Sequence, residues 1–342
     1  MISRRPRRLV LLTAALAAVT LAVTTACGSG GSSASTSAGK RRSATVLLDW
    51  EPNPDHLALY SAQDGGDYAA AGLNVTLRSP SDPSDPLKLV STGTVDLGIS
   101  YEPEVIIAGT EKLDVVAVAA IVPTALNSIM AVGSAGITKP ADLAGATVGT
   151  AGLRTDQAFL DAIAKANHFD SSAIHQVDVG ADLLPAMISK KVQATLGGYR
   201  NVEGVTLTSR GLAPKIIPVT EAGVPQYDEL VVVARRSRLA SDPAYATLVR
   251  DFLRATAAGN ARALADPAKA TEALSGAADG YDPKLLPTMV QATVPLLRNP
   301  AGFGRMDVGA WTSFITWMHD ENLIRTSVPA ADVVTNTYLP KP

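Results

Sequence analysis

Across 342 residues the chain carries 30 Lys and Arg against 32 Asp and Glu, with four histidines and one cysteine. A formal charge of −2, with the few basic clusters near the start of the chain, leaves no electrostatic footprint for nucleic acid. One cysteine excludes structural disulfides and any Cys-based metal site, and four scattered histidines do not build one either, so no metal and no cofactor is expected.

The first segment, MISRRPRRLVLLTAALAAVTLAVTTAC, has a basic start, an apolar run from Leu9 to about Val23, and small residues before Cys27. That is the tripartite form of a secretory signal, and its apolar core is short for a membrane span; an uncleaved anchor helix is the alternative. A cysteine directly after small residues resembles a bacterial lipobox, although Thr24 stands where that pattern usually has Leu. On this reading residues 1–27 are a lipoprotein signal peptide and Cys27 becomes the lipidated first residue. The protein is then exported and anchored on the extracytoplasmic side of the cell membrane, with two or more acyl chains giving a stable anchor. The arginine pairs leave twin-arginine export open. Residues 28–43, GSGGSSASTSAGKRRS, are a Gly/Ser tether with no core-forming residue.

From residue 44 short apolar runs alternate with helical patterns. Strands are predicted at 44–50, 73–78, 95–100, 115–121, 127–132, 146–150, 173–179, 192–198, 214–219 and 229–235. Helices are predicted between them, at 56–71, 85–92, 102–109, 155–167, 182–190 and 201–210. From Ser241 onward the pattern is almost wholly helical, punctuated near Pro267, Gly280, Pro287 and Pro300. Strand–helix alternation with buried strands predicts an α/β fold with parallel-type sheets.

One arrangement occurs twice. GLNVTLRSPSDPSDPLKLVSTGTVDLGIS and AIHQVDVGADLLPAMISKKVQATLGGY both read as strand, loop, helix, strand. Two such modules predict two similar lobes, with NSIMAV and ELVVVAR as the crossings between them. Lobe 1 is expected at 44–129 plus 230–342 and lobe 2 at 130–229. Two crossings make a hinge, and the cleft beside it is the expected ligand site.

The segment LDWEPNPDHLALYSAQDGGDYAAAGLNVTLRSPSDPSDPLKLVSTGTVDLGISYEPEVIIA resembles the ABC-importer binding proteins for thiamine pyrimidine precursors, hydroxymethylpyrimidine and formylaminopyrimidine. The same broad family includes the fungal thiamine-pyrimidine synthase. The likeness is densest over 47–108 and returns at GGYRNVEG (197–204) and GVPQYDELVVVAR (223–235). It implies a two-lobed periplasmic-binding-protein-like fold of type II. It also implies a small-molecule pyrimidine ligand and delivery to a membrane permease driven by its ATPase. A monomer without catalytic residues is expected.

A pyrimidine offers flat faces, ring nitrogens and an exocyclic amine, so it calls for aromatic walls and a carboxylate or amide at the amine edge. Trp50, at the end of the first strand, is placed to stack on such a ring, with Pro52 and Pro54 stiffening the turn behind it. Asp49 either bonds a ring nitrogen or orients that turn. Asn53 or Asp55 caps the helix that follows. His56, in its first turn, either caps or touches ligand. Tyr60 shares the face of His56 and is a second cleft aromatic or a core residue. Ser100 and Tyr101 close a strand facing the cleft, while Glu102 and Glu104 suit the start of the next helix. The loop around Gly152 exposes backbone N–H groups; Arg154 is read as solvated. In GGYRNVEG, Tyr199 opposes Trp50, Asn201 supplies an amide, and by resemblance Glu203 pairs with the amine edge. Tyr227 is a further candidate, and Trp311, Phe314 and Trp317 read as lobe 1 core.

Two alternatives stand beside this reading. The fungal synthase pattern has a pyridoxal-phosphate lysine and a histidine as Lys-x-x-x-His after its V-D-x-G strand; here those positions hold Ser100 and Glu104. A Schiff base cannot form on a hydroxyl. A binding protein of the same fold for a riboflavin-like, sulfonate or nitrate solute is the other, and for anions Glu203 is repulsive.

Overall fold

The computed structural model describes residues 41–341. The expected signal peptide, the lipidation at Cys27 and most of the tether lie outside the described residues.

Among the described residues ten strands form two five-stranded sheets. The first has the order β2-β1-β3-β10-β4, from β1 (Arg42–Leu47), β2 (Leu73–Arg78), β3 (Leu97–Ser100), β4 (Val116–Val122) and β10 (Leu230–Ala234). The second has the order β7-β6-β8-β5-β9, from β5 (Asn127–Ala131), β6 (Thr147–Thr150), β7 (His175–Asp178), β8 (Ala194–Tyr199) and β9 (Lys215–Pro218). All ten predicted strands are present.

The sheets are mixed, which corrects the parallel-type expectation. β1 pairs in parallel with β2 and β3, but β10 is antiparallel to β3 and β4. Likewise β6 is parallel to β7 and β8, whereas β5 is antiparallel to β8 and β9. The crossings explain both reversals. A chain that leaves one sheet at the ends of its parallel strands enters the other sheet at the same edge, so its first strand there runs backwards. NSIMAV and ELVVVAR are therefore those first strands, set inside the sheets, and the linking segments are 123–126 and 219–229. The expected lobe divisions fall within β5 and just ahead of β10.

Both faces of each sheet are covered. In β10, Leu230, Val232 and Ala234 join one apolar cluster with Val46, Leu57 and Phe252, while Val231 and Val233 join another with Val105, Trp311 and Phe314. That split is the two-residue period of a strand buried on both sides. The second cluster continues into the other lobe through Phe159, Leu160 and Val148. Trp311 and Phe314 are core, as predicted; Trp317 is partly buried and meets Phe159 edge-on at 6.3 Å.

The predicted helix over 56–71 is in fact a 3₁₀ turn (Pro54–His56) and two helices, Leu57–Asp64 and Asp67–Ala70. They part at Gly66, whose φ of 72° is left-handed and suits glycine. The helix Leu57–Asp64 continues directly from the Asp49–His56 turn, so its seating fixes that turn. It packs on the long helix Pro243–Ala265 at Gly259, where a Cβ would lie 2.2 Å from the Ala58 carbonyl oxygen. We expect Gly259→Ala to lower stability by about 1–3 kcal/mol through overpacking, despite alanine's better helix propensity. Gly276→Ala, where a Cβ meets nothing within 4 Å, should leave the chemical-denaturation midpoint within error. An unchanged midpoint for Gly259→Ala would show that the two helices can part without cost.

Candidate functional site

At the exit of β1 the chain turns through Asp49-Trp50-Glu51-Pro52-Asn53-Pro54. Asn53 caps the 3₁₀ turn, its Oδ1 accepting from the Asp55 N–H at 2.8 Å. The Asn53 N–H donates to His56 Nδ1 at 3.2 Å. That nitrogen is thus an acceptor, the ring proton sits on Nε2, and Nε2–H donates to Asp49 Oδ1 at 2.8 Å. The Tyr101 hydroxyl donates to Asp49 Oδ2 at 2.9 Å. Asp49 is therefore bound through both oxygens, and it orients the turn and the Tyr101 ring together.

Between the sheets lies a cavity of about 40 Å³, space for a few waters. Asp49, Trp50 and Tyr101 reach it from the first lobe; Tyr199 and Glu203 reach it from the second; Tyr227 comes from the returning crossing. These six predicted residues are brought together. The other five are not on its wall. His56 is fully buried behind Asp49. Tyr60 packs on the first-lobe apolar cluster, its hydroxyl pushed up to about 12 by burial and by Glu51. Ser100 is buried in β3 opposite Val231. Gly152 turns its loop with φ 81° beside the Asp178 carboxylate, and its neighbours Ala151 and Leu153 line the cavity instead. Asn201 is buried and donates from Nδ2 to Asp55 Oδ1 and to Thr293 Oγ1, both at 2.8 Å, tying the second lobe to the first. Arg154 pairs with Glu111 rather than standing free in solvent.

Other wall residues escaped the sequence reading: Asn127, Thr155, Phe159, Glu229 and Tyr281. Glu229 accepts from the backbone N–H groups of Leu126 and Asn127 and from the hydroxyls of Tyr199 (3.2 Å) and Tyr227 (3.1 Å). Glu104 accepts from the Thr155 N–H at 3.1 Å and its hydroxyl at 3.0 Å, a second tie between the lobes. The only available signals were an acidic residue heading an apolar strand and a Glu in a helix's first turn, both of which have ordinary explanations.

Electrostatically the wall is one-sided. It carries Asp49, Glu203 and Glu229 with no Lys, Arg or His. Burial pushes Glu203 and Glu229 above the usual carboxylate range, opposed by the hydrogen bonds each accepts. Burial, with Asp49, Glu203 and Glu229 nearby, pushes Asp55 well up too. The hydroxyls of Tyr101, Tyr199 and Tyr227 are raised by burial and by adjoining carboxylates, so they remain donors. Glu203 Oε2 accepts from the Tyr199 N–H at 2.7 Å, and the carboxyl group also receives its own backbone N–H. Six aromatic rings, three carboxylates and two amides around so thin a space suit a flat ring bearing N–H donors. Among the described residues no group of three His, Cys, Asp or Glu is placed to hold a metal.

The two mixed sheets, the double crossing and the cleft at the hinge define a two-lobed α/β periplasmic-binding-protein-like fold. The alkanesulfonate-binding protein SsuA of Xanthomonas axonopodis pv. citri, solved with MOPS bound, matches over 87% of this chain and 99% of its own, with TM-score 0.68 and 15% identity. The family described as NMT1/THI5 like matches residues 53–270, and the chain belongs to it. The formylaminopyrimidine-binding protein of Halalkalibacterium halodurans is 31% identical over 85% of this chain and 89% of its own. The 4-amino-5-hydroxymethyl-2-methylpyrimidine phosphate synthase of Legionella pneumophila is 25% identical over 73% of this chain and 78% of its own.

Asp156 holds the loop that carries Leu153 and Thr155 to the wall, accepting from the Leu153 N–H at 2.8 Å. Burial pushes its carboxyl from 3.8 up to about 7. A carboxyl raised on folding stabilises fully below its ordinary value, and that contribution is lost as pH rises through the folded one. The melting temperature should therefore fall between pH 5 and pH 8, and Asp156→Asn should flatten the profile. A wild-type profile flat over that range would show that Asp156 ionises freely in the folded protein.

Proposed function

We propose that this chain is the extracytoplasmic solute-binding component of an ABC importer, and that its solute is a pyrimidine precursor of thiamine. The observation that carries this reading is the cavity wall itself: aromatic rings and carboxylates converge there with no cation. An aminopyrimidine presents ring faces to Trp50 and Tyr199 and amine hydrogens to the carboxyl group of Glu203. A charge-assisted bond of that kind contributes about 1.5–3 kcal/mol. The relative with a formylaminopyrimidine in its name supports the same solute class.

Sulfonate and nitrate fit poorly, because an anion brought beside Glu203 and Glu229 meets like charge and no Lys or Arg. Relatives named as synthases raise the possibility of chemistry. Against it stand Ser100, buried in its strand, and Glu104, committed to Thr155, at the two positions where the resemblance to the fungal enzyme asks for an amine and an imidazole. No residue here is assigned a catalytic role.

The mechanism is closure. Asn201 meets Asp55 and Thr293, and Thr155 meets Glu104, only when the lobes are together. A solute that touches both walls adds contacts that exist solely in that form and shifts the population towards it. The closed protein then docks on a permease whose ATPase drives import. The chain acts as a monomer held at the membrane through lipid on Cys27. No helix among the described residues is long and apolar enough to cross a membrane.

Titration calorimetry on protein washed free of co-purified solute tests this. Hydroxymethylpyrimidine or formylaminopyrimidine should bind, methanesulfonate and nitrate should not, and Glu203→Gln should weaken binding about 10- to 100-fold. Equal binding by Glu203→Gln, or preference for the anions, would refute the assignment.

A further inference from the structure

We propose that the binding site has a second compartment, an outer chamber that receives a substituent carried on the amine of the ring held inside. The proposal rests on the aminopyrimidine reading above. A chamber of about 580 Å³ adjoins the inner cavity, and Trp50, Glu203 and Tyr281 line both. The inner cavity, at about 40 Å³, is far smaller than the chamber beside it. A larger substituent must either prevent closure or leave along the three shared side chains.

The outer chamber is built to accept it. Leu184 and Ile188 lie one turn apart on the helix Leu183–Ile188, both only partly buried, and both line the chamber opposite Trp50 and Tyr281. Apolar side chains left half in water gain from being covered. Polarity is graded as well. Glu203 stands where the two compartments meet, and Glu51 and Arg210, of opposite charge, line only the outer one. An acylated amine matches that order: its N–H meets Glu203 and its apolar chain runs over Leu184 and Ile188. The ligand class is therefore aminopyrimidines whose amine bears an acyl group larger than formyl.

Calorimetry on the whole folded protein tests this with formyl, butanoyl and benzoyl derivatives of one aminopyrimidine. Covering about two methylene equivalents should make the butanoyl and benzoyl compounds bind about tenfold more tightly than the formyl compound. In the Leu184→Ser/Ile188→Ser double variant that advantage should shrink to within about twofold, with formyl binding unchanged; Ile188→Thr alone serves if the double variant does not fold, and should reduce the advantage by about half. Larger acyl groups that bind no better than formyl in the wild type would overturn the outer chamber while leaving the inner site intact, and so would an advantage that survives in the variants. If no member of the series binds while hydroxymethylpyrimidine does, the chamber fails and the proposed function stands; if neither binds, both fail.

Discussion

The interaction on which the rest depends is the carboxylate of Glu229. It sits at the end of the returning crossing and accepts from Leu126 and Asn127 on the outgoing one. Both chain crossings are thus fastened to one side chain. Its remaining capacity goes to Tyr199 and Tyr227, whose rings stand on the cavity wall. Hinge position and wall position are set by the same group. Removing it would leave two buried backbone N–H groups and the buried Tyr227 hydroxyl without that acceptor, each costing on the order of 1–3 kcal/mol.

Glu102 repeats the device on the neighbouring turn, accepting from the Asp228 N–H at 2.7 Å, and Asp228 in turn accepts from Trp311 Nε1 at 2.9 Å. The crossing is consequently tied to the C-terminal helix Val308–Asp320 as well as to the first sheet. Carboxylates gathered in so dry a region would repel one another if all were ionised. Donors are supplied instead, by backbone amides at Glu229 and Glu203 and by serial hydroxyls at Asp49 and Glu229. The cavity wall is rich in hydrogen-bond acceptors and has no cation among the described residues, and this is the property a donor-rich solute would meet.

Much of the scaffold was legible in the chain. β2 and the helix Asp85–Thr92 match their predicted limits because local signals agree: period-two burial in the one, Pro86 at the start and a left-handed Gly93 at the end of the other. Strand direction was not legible, since apolar runs such as NSIMAV look alike whichever way they run. Within the site, residues at strand exits were brought to the cavity wall, as with Trp50, Tyr101 and Tyr199. Residues one turn later were not, because His56 and Asn201 turn back to support Asp49 and Asp55 instead of facing the cleft. Glu229 and Tyr281 gain their positions only from the crossing and from the packing of distant helices, and no nearby spacing announces that.

The most direct test of the account is a crystal structure of the protein grown with an aminopyrimidine. The account predicts one flat ring between Trp50 and Tyr199, its amine within hydrogen-bond distance of Glu203, and the lobes closed through Asn201 and Thr155. A ring bound elsewhere, or lobes closed over an anion beside Glu229, would contradict it.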